Sequence, residues 1–323
     1  MSGEGSAVPA LSVIVPAFDA AATISATLAG LSQQETGGGL ELIVVDDGSA
    51  DDTGAIAEGA GARVLRLQRG GPAAARAAGV AASSAPVLAF LDADCRPEPG
   101  WAEAGLAALA GGAGLVQGRV LPEPEARLGP YDRTLWVESD SGLYQTANVF
   151  MTREAYDRAG GFGSWIDPGS DARGHFGEDV LLGWAARRNG VSAAFAPEAL
   201  VRHAVFPRGP LAYVAERRRL GYFPELVRRV PELRRSPLFA RVFLSSRTAA
   251  FDLALAALLI ALARRSPLFA LGALPYAARL VAGARRRARD RSAAEVLATD
   301  LIADAVGLAA LARGSAASRS LLL

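Results

Sequence analysis

The sequence predicts an α/β fold on a doubly wound, mainly parallel sheet, followed by a C-terminal α-helical region. Three observations predict it. Short apolar runs recur at residues 11–16, 41–46, 63–67 and 87–91. Stretches with helical spacing separate them. Carboxylates gather just after the runs, at Asp46, Asp47, Asp92 and Asp94, which is the edge where such sheets collect ligands.

In chain order, LSVIVPAFDA (11–20) reads as a strand stopped by Pro16, and ISATLAGLSQQ then sets Ile24, Leu28 and Leu31 on one helical face. ELIVVDDGSADDT (41–53) gives a second strand, a turn at Gly48 and Ser49, and a helix capped by Ser49 or Asp51. RVLRL (63–67) is the third strand. The turn at Gly70, Gly71 and Pro72 then opens an alanine-rich helix from about Ala73 to Ala82. Residues 87–91 form the fourth strand and lead into FLDADCRPEPGW (90–101). There Asp92 and Asp94 fall on one face just past the strand end. Such hard oxygen ligands suit Mg²⁺ or Mn²⁺, which bind through few carboxylates and complete their shell with substrate phosphates and water. Asp-x-Asp also occurs in ordinary solvated turns, so its weight comes from its place in the βα series.

With these segments on the page, the chain resembles the family 2 inverting glycosyltransferases, which have the GT-A fold. The resemblance runs from about Leu11 to His203. It is carried, in order, by SVIVPAFDA, VVDDGSADDT, GGPAAARAAG, the Asp-x-Asp block with Pro97, Pro99, Gly100 and Trp101, and finally NVFMTREAYDRAGGF (148–162) with GEDVLLGWAARRNG (177–190). It implies that Pro16 and Phe18 wall a nucleoside pocket and that Asp47 bonds the base. Arg76 would face the nucleotide, Asp92 would hold the ribose or the metal, and Asp94 would be the main protein ligand of a cation bridging two phosphates. His203 would supply a third metal ligand. Glu178 and Asp179 match the family's Glu-Asp pair, with Glu178 on the substrate and Asp179 as general base. The chain has Phe18-Asp19 where the family usually has Tyr-Asn, and Ala77 where it usually has Asn.

Asp179 follows Gly177 and Glu178 at the start of a helical stretch, where the helix N-terminus is expected to hold it ionised, although a plain capping role is the alternative. His175, beside glycine, serine and aspartate, reads as part of a loop over the acceptor, and Trp165 and Phe176 as sugar-stacking or packing residues. The acceptor is expected to be read by residues 116–145 and 163–176.

Net charge is +1, which gives no bulk argument for nucleic acid. The single cysteine, Cys95, cannot form an internal disulfide and fits a reducing cytoplasm. MSGEGSAVPA has neither a basic cluster nor an apolar core, so residues 1–10 read as a disordered N-terminus without a signal peptide. Arginine without a single lysine, together with abundant alanine, suggests a GC-rich bacterial source.

The catalytic domain is expected over 11–206, with 11–120 binding the nucleotide sugar and 121–206 facing the acceptor. From 207 to 323 the chain should be helical and membrane-associated. RRRLGYFPELVRRVPELRRSPLFARVF interleaves arginine with aromatic and apolar residues, a pattern suited to anionic headgroups. Residues 248–263 and 267–284 are apolar but at or below the roughly 20 residues needed to span a bilayer, so they read as a shallow interfacial hairpin or as a soluble helical subdomain. An amphipathic helix is expected at about 293–312.

The expected reaction is inverting transfer of a sugar from a nucleoside-diphosphate donor to a hydroxyl acceptor that is lipid-linked or part of a cell-envelope glycan. It would be metal-dependent, with Mn²⁺ or Mg²⁺, on the cytoplasmic side of the plasma membrane, with a homodimer possible. The alternatives are a sugar nucleotidyltransferase, disfavoured by the lack of lysine for a triphosphate loop, and a catalytically silent nucleotide-sugar-binding membrane scaffold.

Overall fold

The apolar runs form parallel strands: β1 (Leu11–Ala17), β2 (Leu40–Asp46), β3 (Arg63–Arg66) and β4 (Val87–Leu91). These coordinates, a computed structural model, describe residues 8–163, 176–289 and 291–323. The chain divides into two units, residues 1–126 with 134–204, and residues 127–133 with 205–323. Residues 127–133, which the sequence reading leaves inside the catalytic domain, thus cluster with the helical unit.

The first unit adds β5 (Cys95–Pro97), β6 (Leu115–Pro122), β7 (Asn148–Thr152) and β8 (Ala193–His203), giving one sheet in the order β3-β2-β1-β4-β7-β6-β8-β5. The pairs β1–β2, β1–β4, β2–β3 and β6–β8 are parallel; β4–β7, β6–β7 and β5–β8 are antiparallel. Burial on both faces explains why the central strands read as unbroken apolar runs. Val13, Val15, Ala89 and Leu91 pack with Ile24 and Leu28 of α1 (Ile24–Ser32) and Trp101 of α4 (Trp101–Ala110). Ile14, Val45, Leu88 and Phe90 pack on the other side with Ala75 and Val80 of α3 (Pro72–Ala82), Ala155 of α5 (Arg153–Ala159), and Leu182 and Ala186 of α6 (Glu178–Arg188).

Two local expectations are corrected. Pro16 does not stop β1, which runs on to Ala17 with Pro16 opposite Val45. Pairing with β4 covers only Ser12 to Ile14, so the missing proline N–H costs no ladder bond on that side. The helix α2 (Thr53–Gly59) has Asp52, not Ser49 or Asp51, at its N-cap position; Asp51 instead accepts from the Thr53 and Ala21 amides at 3.1 and 3.0 Å.

Asn148 pins the inner strands. Its side-chain amide donates to the Arg119 and Ala199 carbonyls at 2.9 and 2.7 Å and accepts from the Trp101 indole at 2.8 Å, so this buried amide is well satisfied. A β-carbon on Gly118 would lie 2.2 Å from that amide nitrogen, which makes glycine obligatory at the β6 register shift.

The second unit comprises α7 (Pro210–Glu216), α8 (Phe223–Arg229), α9 (Ser246–Arg264), α10 (Leu274–Arg287) and α11 (Ala293–Ser318), with short 3-10 turns between them. α11 runs six residues past the expected end and is its axis, burying Val296, Ala303 and Leu311. The Tyr131 hydroxyl donates to Thr299 at 3.1 Å, and Arg247 pairs with Asp304 at 2.9 Å.

Candidate active site

The strand ends deliver the acidic groups, and one arginine gathers two of them. Arg76 lies on α3, which starts after Gly71 in a positive-φ conformation (85°) with Pro72 in the first turn. Its side chain is 6% exposed, yet it donates to Asp92 at 2.8 Å and to Glu178 at 3.1 Å. Asp92 sits just past β4 and Glu178 opens α6, so a single guanidinium ties two distant chain segments together. A planar fork with several donors suits this bridging. Its two carboxylates hold Arg76 firmly protonated despite burial.

Asp94 and His203 meet because β5 pairs with the end of β8, setting Cys95 opposite His203. The His203 Nε2 lies 3.7 Å from an Asp94 oxygen. Its Nδ1 is 2.6 Å from the Ala204 carbonyl and 3.4 Å from the Thr134 hydroxyl. A carbonyl only accepts, so Nδ1 carries a proton. In the neutral ring the Nε2 lone pair therefore faces the carboxylate, which is the arrangement a metal-binding histidine takes when a carbonyl fixes its tautomer. The Cys95 thiol also falls within a 4.8 Å cluster with these two groups. Burial, with Asp94 and Asp92 close by, raises its pKa well above the usual thiol range, and a soft sulfur is a poorer match than oxygen or imidazole for Mg²⁺ or Mn²⁺. The donor set that fits a divalent cation is Asp94 with His203, with Asp92 nearby but engaged by Arg76.

On the nucleoside side, Phe18 is 38% exposed and the Arg69 guanidinium stacks 4.0 Å above its ring. Pro16 is half-buried within β1. The Asp47 carboxylate accepts from the Gly70 and Gly71 amides at 2.7 and 2.8 Å, tying β2 to the glycine turn; the second lone pair on each oxygen is what remains for a base. Asp19 has a φ of 46°, a conformation that Asp and Asn tolerate better than most residues, and its carboxylate accepts from the Ala50 amide at 2.8 Å.

Asp179 does not cap its helix. The N-cap of α6 is Gly177, at φ 74°, with no side-chain capping bond, and Asp179 accepts instead from its neighbour, the Val180 amide, at 2.8 Å. The expectation that the helix N-terminus would keep Asp179 readily ionised is also corrected. Desolvation of this half-buried carboxyl, then the adjacent Glu178 carboxylate, push its pKa up to about 7, outweighing the Val180 amide and Arg76. A carboxyl tuned near neutrality is a stronger base than an ordinary aspartate.

The structure thus brings Arg76, Asp92, Glu178 and Asp179 into one electrostatic cluster, and Asp94 and His203 into another. Phe176 is half-buried; Trp165 and His175 lie outside the described residues. Sequence reasoning missed Arg69 and Thr134. A cation just before a glycine turn was a usable signal for Arg69, whereas Thr134 meets His203 only through the fold.

Comparison with known proteins agrees with this architecture. The profile described as Glycosyl transferase family 2 matches residues 12–162, and that described as Glycosyltransferase like family 2 matches residues 136–222. Glycosyltransferase AglE of Haloferax volcanii is 30% identical over 224 residues, covering 64% of this chain and 70% of the relative. The pre-mycofactocin glycosyltransferase of Mycobacterium tuberculosis is 33% identical over 187 residues, covering 51% of this chain but only 37% of that protein. Among solved structures, the mannosyltransferase PcManGT of Pyrobaculum calidifontis, in complex with GDP-Man and Mn²⁺, superposes with a TM-score of 0.56 at 20% identity, covering 95% of this chain and 87% of the other. The fold and the acidic strand-end site define a GT-A glycosyltransferase. The chain belongs to glycosyltransferase family 2.

Proposed function

We propose that the enzyme transfers one sugar from a nucleoside-diphosphate donor to an acceptor hydroxyl, with inversion at the anomeric carbon. The observation that carries this reading is Asp94 facing the Nε2 of His203 at 3.7 Å beside the strand-end carboxylates. Asp94 and His203, with Asp92, would hold the cation, and the mixed oxygen and nitrogen set favours Mn²⁺ over Mg²⁺. When bound, the cation supplies charge stabilisation to the departing diphosphate. Phe18 and Pro16 would wall the nucleoside pocket and Asp47 would bond the base. Arg76 holds Asp92 and Glu178 in place on the substrate side. Asp179 would take the acceptor proton: the acceptor oxygen bonds to the anomeric carbon as the bond to the diphosphate oxygen breaks, and the proton passes to the Asp179 carboxylate.

The acceptor we assign to a lipid-linked or cell-envelope glycan, a reading supported by the exposed apolar surface of the helical unit. Thermal melting against a panel of nucleoside-diphosphate sugars, with Mn²⁺ or with chelator, tests the proposal. A bound donor raises the melting temperature with the logarithm of its concentration over its dissociation constant. The expected result is a shift for one base that requires the metal; no shift with any donor would overturn the reading.

A further inference from the structure

The helical unit leaves a large apolar surface in one place. Eleven of the nineteen exposed large hydrophobic side chains among the described residues lie between Leu253 and Val281. They occupy the distal part of α9, the 3-10 turn Pro267–Ala273, and α10. At 100° per residue, the exposed Leu253, Leu255, Leu258, Leu259, Ile260 and Leu262 surround α9 except for a sector holding Ala254, Ala257 and Ala261. That sector takes the returning arm, because a β-carbon on Gly272 would lie 2.8 Å from the Ala257 methyl. A helix lying flat on a membrane needs only a one-sided apolar stripe, whereas this one is apolar on every side its partner arm leaves open.

The base of the hairpin is polar and fixed. Arg247 pairs with Asp304 at 2.9 Å, the Tyr276 hydroxyl donates to Asp304 at 2.8 Å, and Arg279 donates to the Ser246 carbonyl at 2.8 Å. Above Asp252, the acidic residue of α9 nearest the tip, the helix rises about 18 Å to the arginines there, enough to pass the mid-plane of a hydrocarbon core roughly 30 Å thick. Arg264 and Arg265 are costly at the bilayer centre, but long side chains at a helix end reach the headgroups.

We infer that this hairpin enters a lipid bilayer tip-first, with anionic headgroups around its base. The inference goes further than the lipid-linked acceptor proposed above and rests on that reading only in naming the membrane. Charge selects lipid over a second copy of the chain. Between Leu253 and Arg289 there are seven arginines and no acidic residue, so a symmetric dimer would set this cationic surface against itself. Anionic lipid complements it.

The test uses the full chain and vesicles of phosphatidylcholine with or without phosphatidylglycerol. Wild-type protein is expected to float with vesicles, and more strongly with the anionic lipid. Leu258→Asp/Leu262→Asp, at positions already exposed, should lower partitioning by more than about 100-fold. Its thermal melting should be unchanged. An environment-sensitive fluorophore on Leu258→Cys and, separately, on Ile260→Cys reads both sides of the helix; Cys95 is fully buried and does not compete for label. A blue shift at both sites on adding vesicles is the expected result. A shift at one site only would overturn tip-first insertion in favour of a flat helix. Folded protein that never floats and is a dimer by light scattering would overturn lipid in favour of a second copy. Metal-dependent donor stabilisation is read on the same samples. Flotation without it would sink the proposed transferase chemistry and leave the hairpin standing, and the reverse pattern would do the opposite.

Discussion

Arg76→Met is the most exacting perturbation of this site, because it removes the one cation that joins two carboxylates from different ends of the catalytic unit. The wild-type guanidinium is 2.8 Å from Asp92 and 3.1 Å from Glu178, whose side chains are 33% and 10% exposed. Removing one member of a buried ion pair costs about 3–5 kcal/mol, since the partner charge is left without compensation. Water reaches about a third of Asp92 and screens its share, so the cost should fall near 3 kcal/mol. In a unit of this size 1 kcal/mol moves the melting temperature by about 2–4 °C, giving an expected drop of roughly 6–12 °C. Differential scanning calorimetry of the full chain at pH 7.5 measures it. Arg76→Lys should lie between, because an ammonium restores the charge but not the planar fork. Arg76→Met/Glu178→Gln should recover part of the loss by removing one stranded carboxylate, and the two changes should be clearly non-additive. A melting temperature within about 2 °C of wild type for Arg76→Met, or strict additivity in the double variant, would refute the bridging role.

The remaining predictions concern chemistry. Asp94→Ala should abolish metal-dependent nucleotide binding in calorimetry while melting stays near wild type; unchanged affinity, with and without chelator, would remove Asp94 from the metal site. Asp179→Asn should keep donor affinity and lower turnover by roughly 10²- to 10⁴-fold, the usual contribution of a positioned base, and near-normal turnover would exclude that role. Because Asp179 must be ionised to accept a proton and its pKa is pushed up to about 7, kcat/KM should rise with pH through about 7, and a flat profile from pH 5.5 to 8.5 would count against it. Stability has the opposite sign: a carboxyl pKa raised on folding favours the protonated folded form, so this contribution is full below the ordinary aspartate range and is lost as pH rises towards 7. Asp179→Asn should therefore flatten that part of the stability profile in pH-dependent denaturant titrations.

The parallel half of the sheet was legible because strands buried on both faces must be apolar throughout, and their carboxyl ends were marked by Asp46, Asp47, Asp92 and Asp94. The second half was not read at strand level. β6 and β8 depend on partners far away in sequence, and the short β5 has only three residues, of which Cys95 and Pro97 carry no periodicity. His203 was named through family resemblance, but its lone-pair direction follows from the Ala204 carbonyl and from Thr134, which no spacing rule reaches. Arg76, Asp92 and Glu178 were each identified, yet their union was invisible, because a salt bridge between residues 102 apart is a property of packing. The state of Asp179 was misjudged for a related reason. A helix N-terminus can be read from sequence, but the burial and the adjacent Glu178 charge that outweigh it act through the folded environment.

Taken together, Asp92, Asp94, Glu178 and Asp179 place up to four negative charges around the bridging Arg76 among the described residues. A nucleoside diphosphate brings about two more, so the free site repels the group it is proposed to bind. This field already shows in Asp179, where Glu178 and Asp92 both oppose ionisation. A divalent cation beside Asp94 would resolve both problems, since opposite charge nearby favours the ionised form of a carboxyl and would admit the diphosphate. Asp179 would then be about half ionised near pH 7 in the empty enzyme and more fully ionised once the metal is bound. The same carboxylates that make the empty site unfavourable for an anion would thus make metal binding the step that both admits the donor and readies the base.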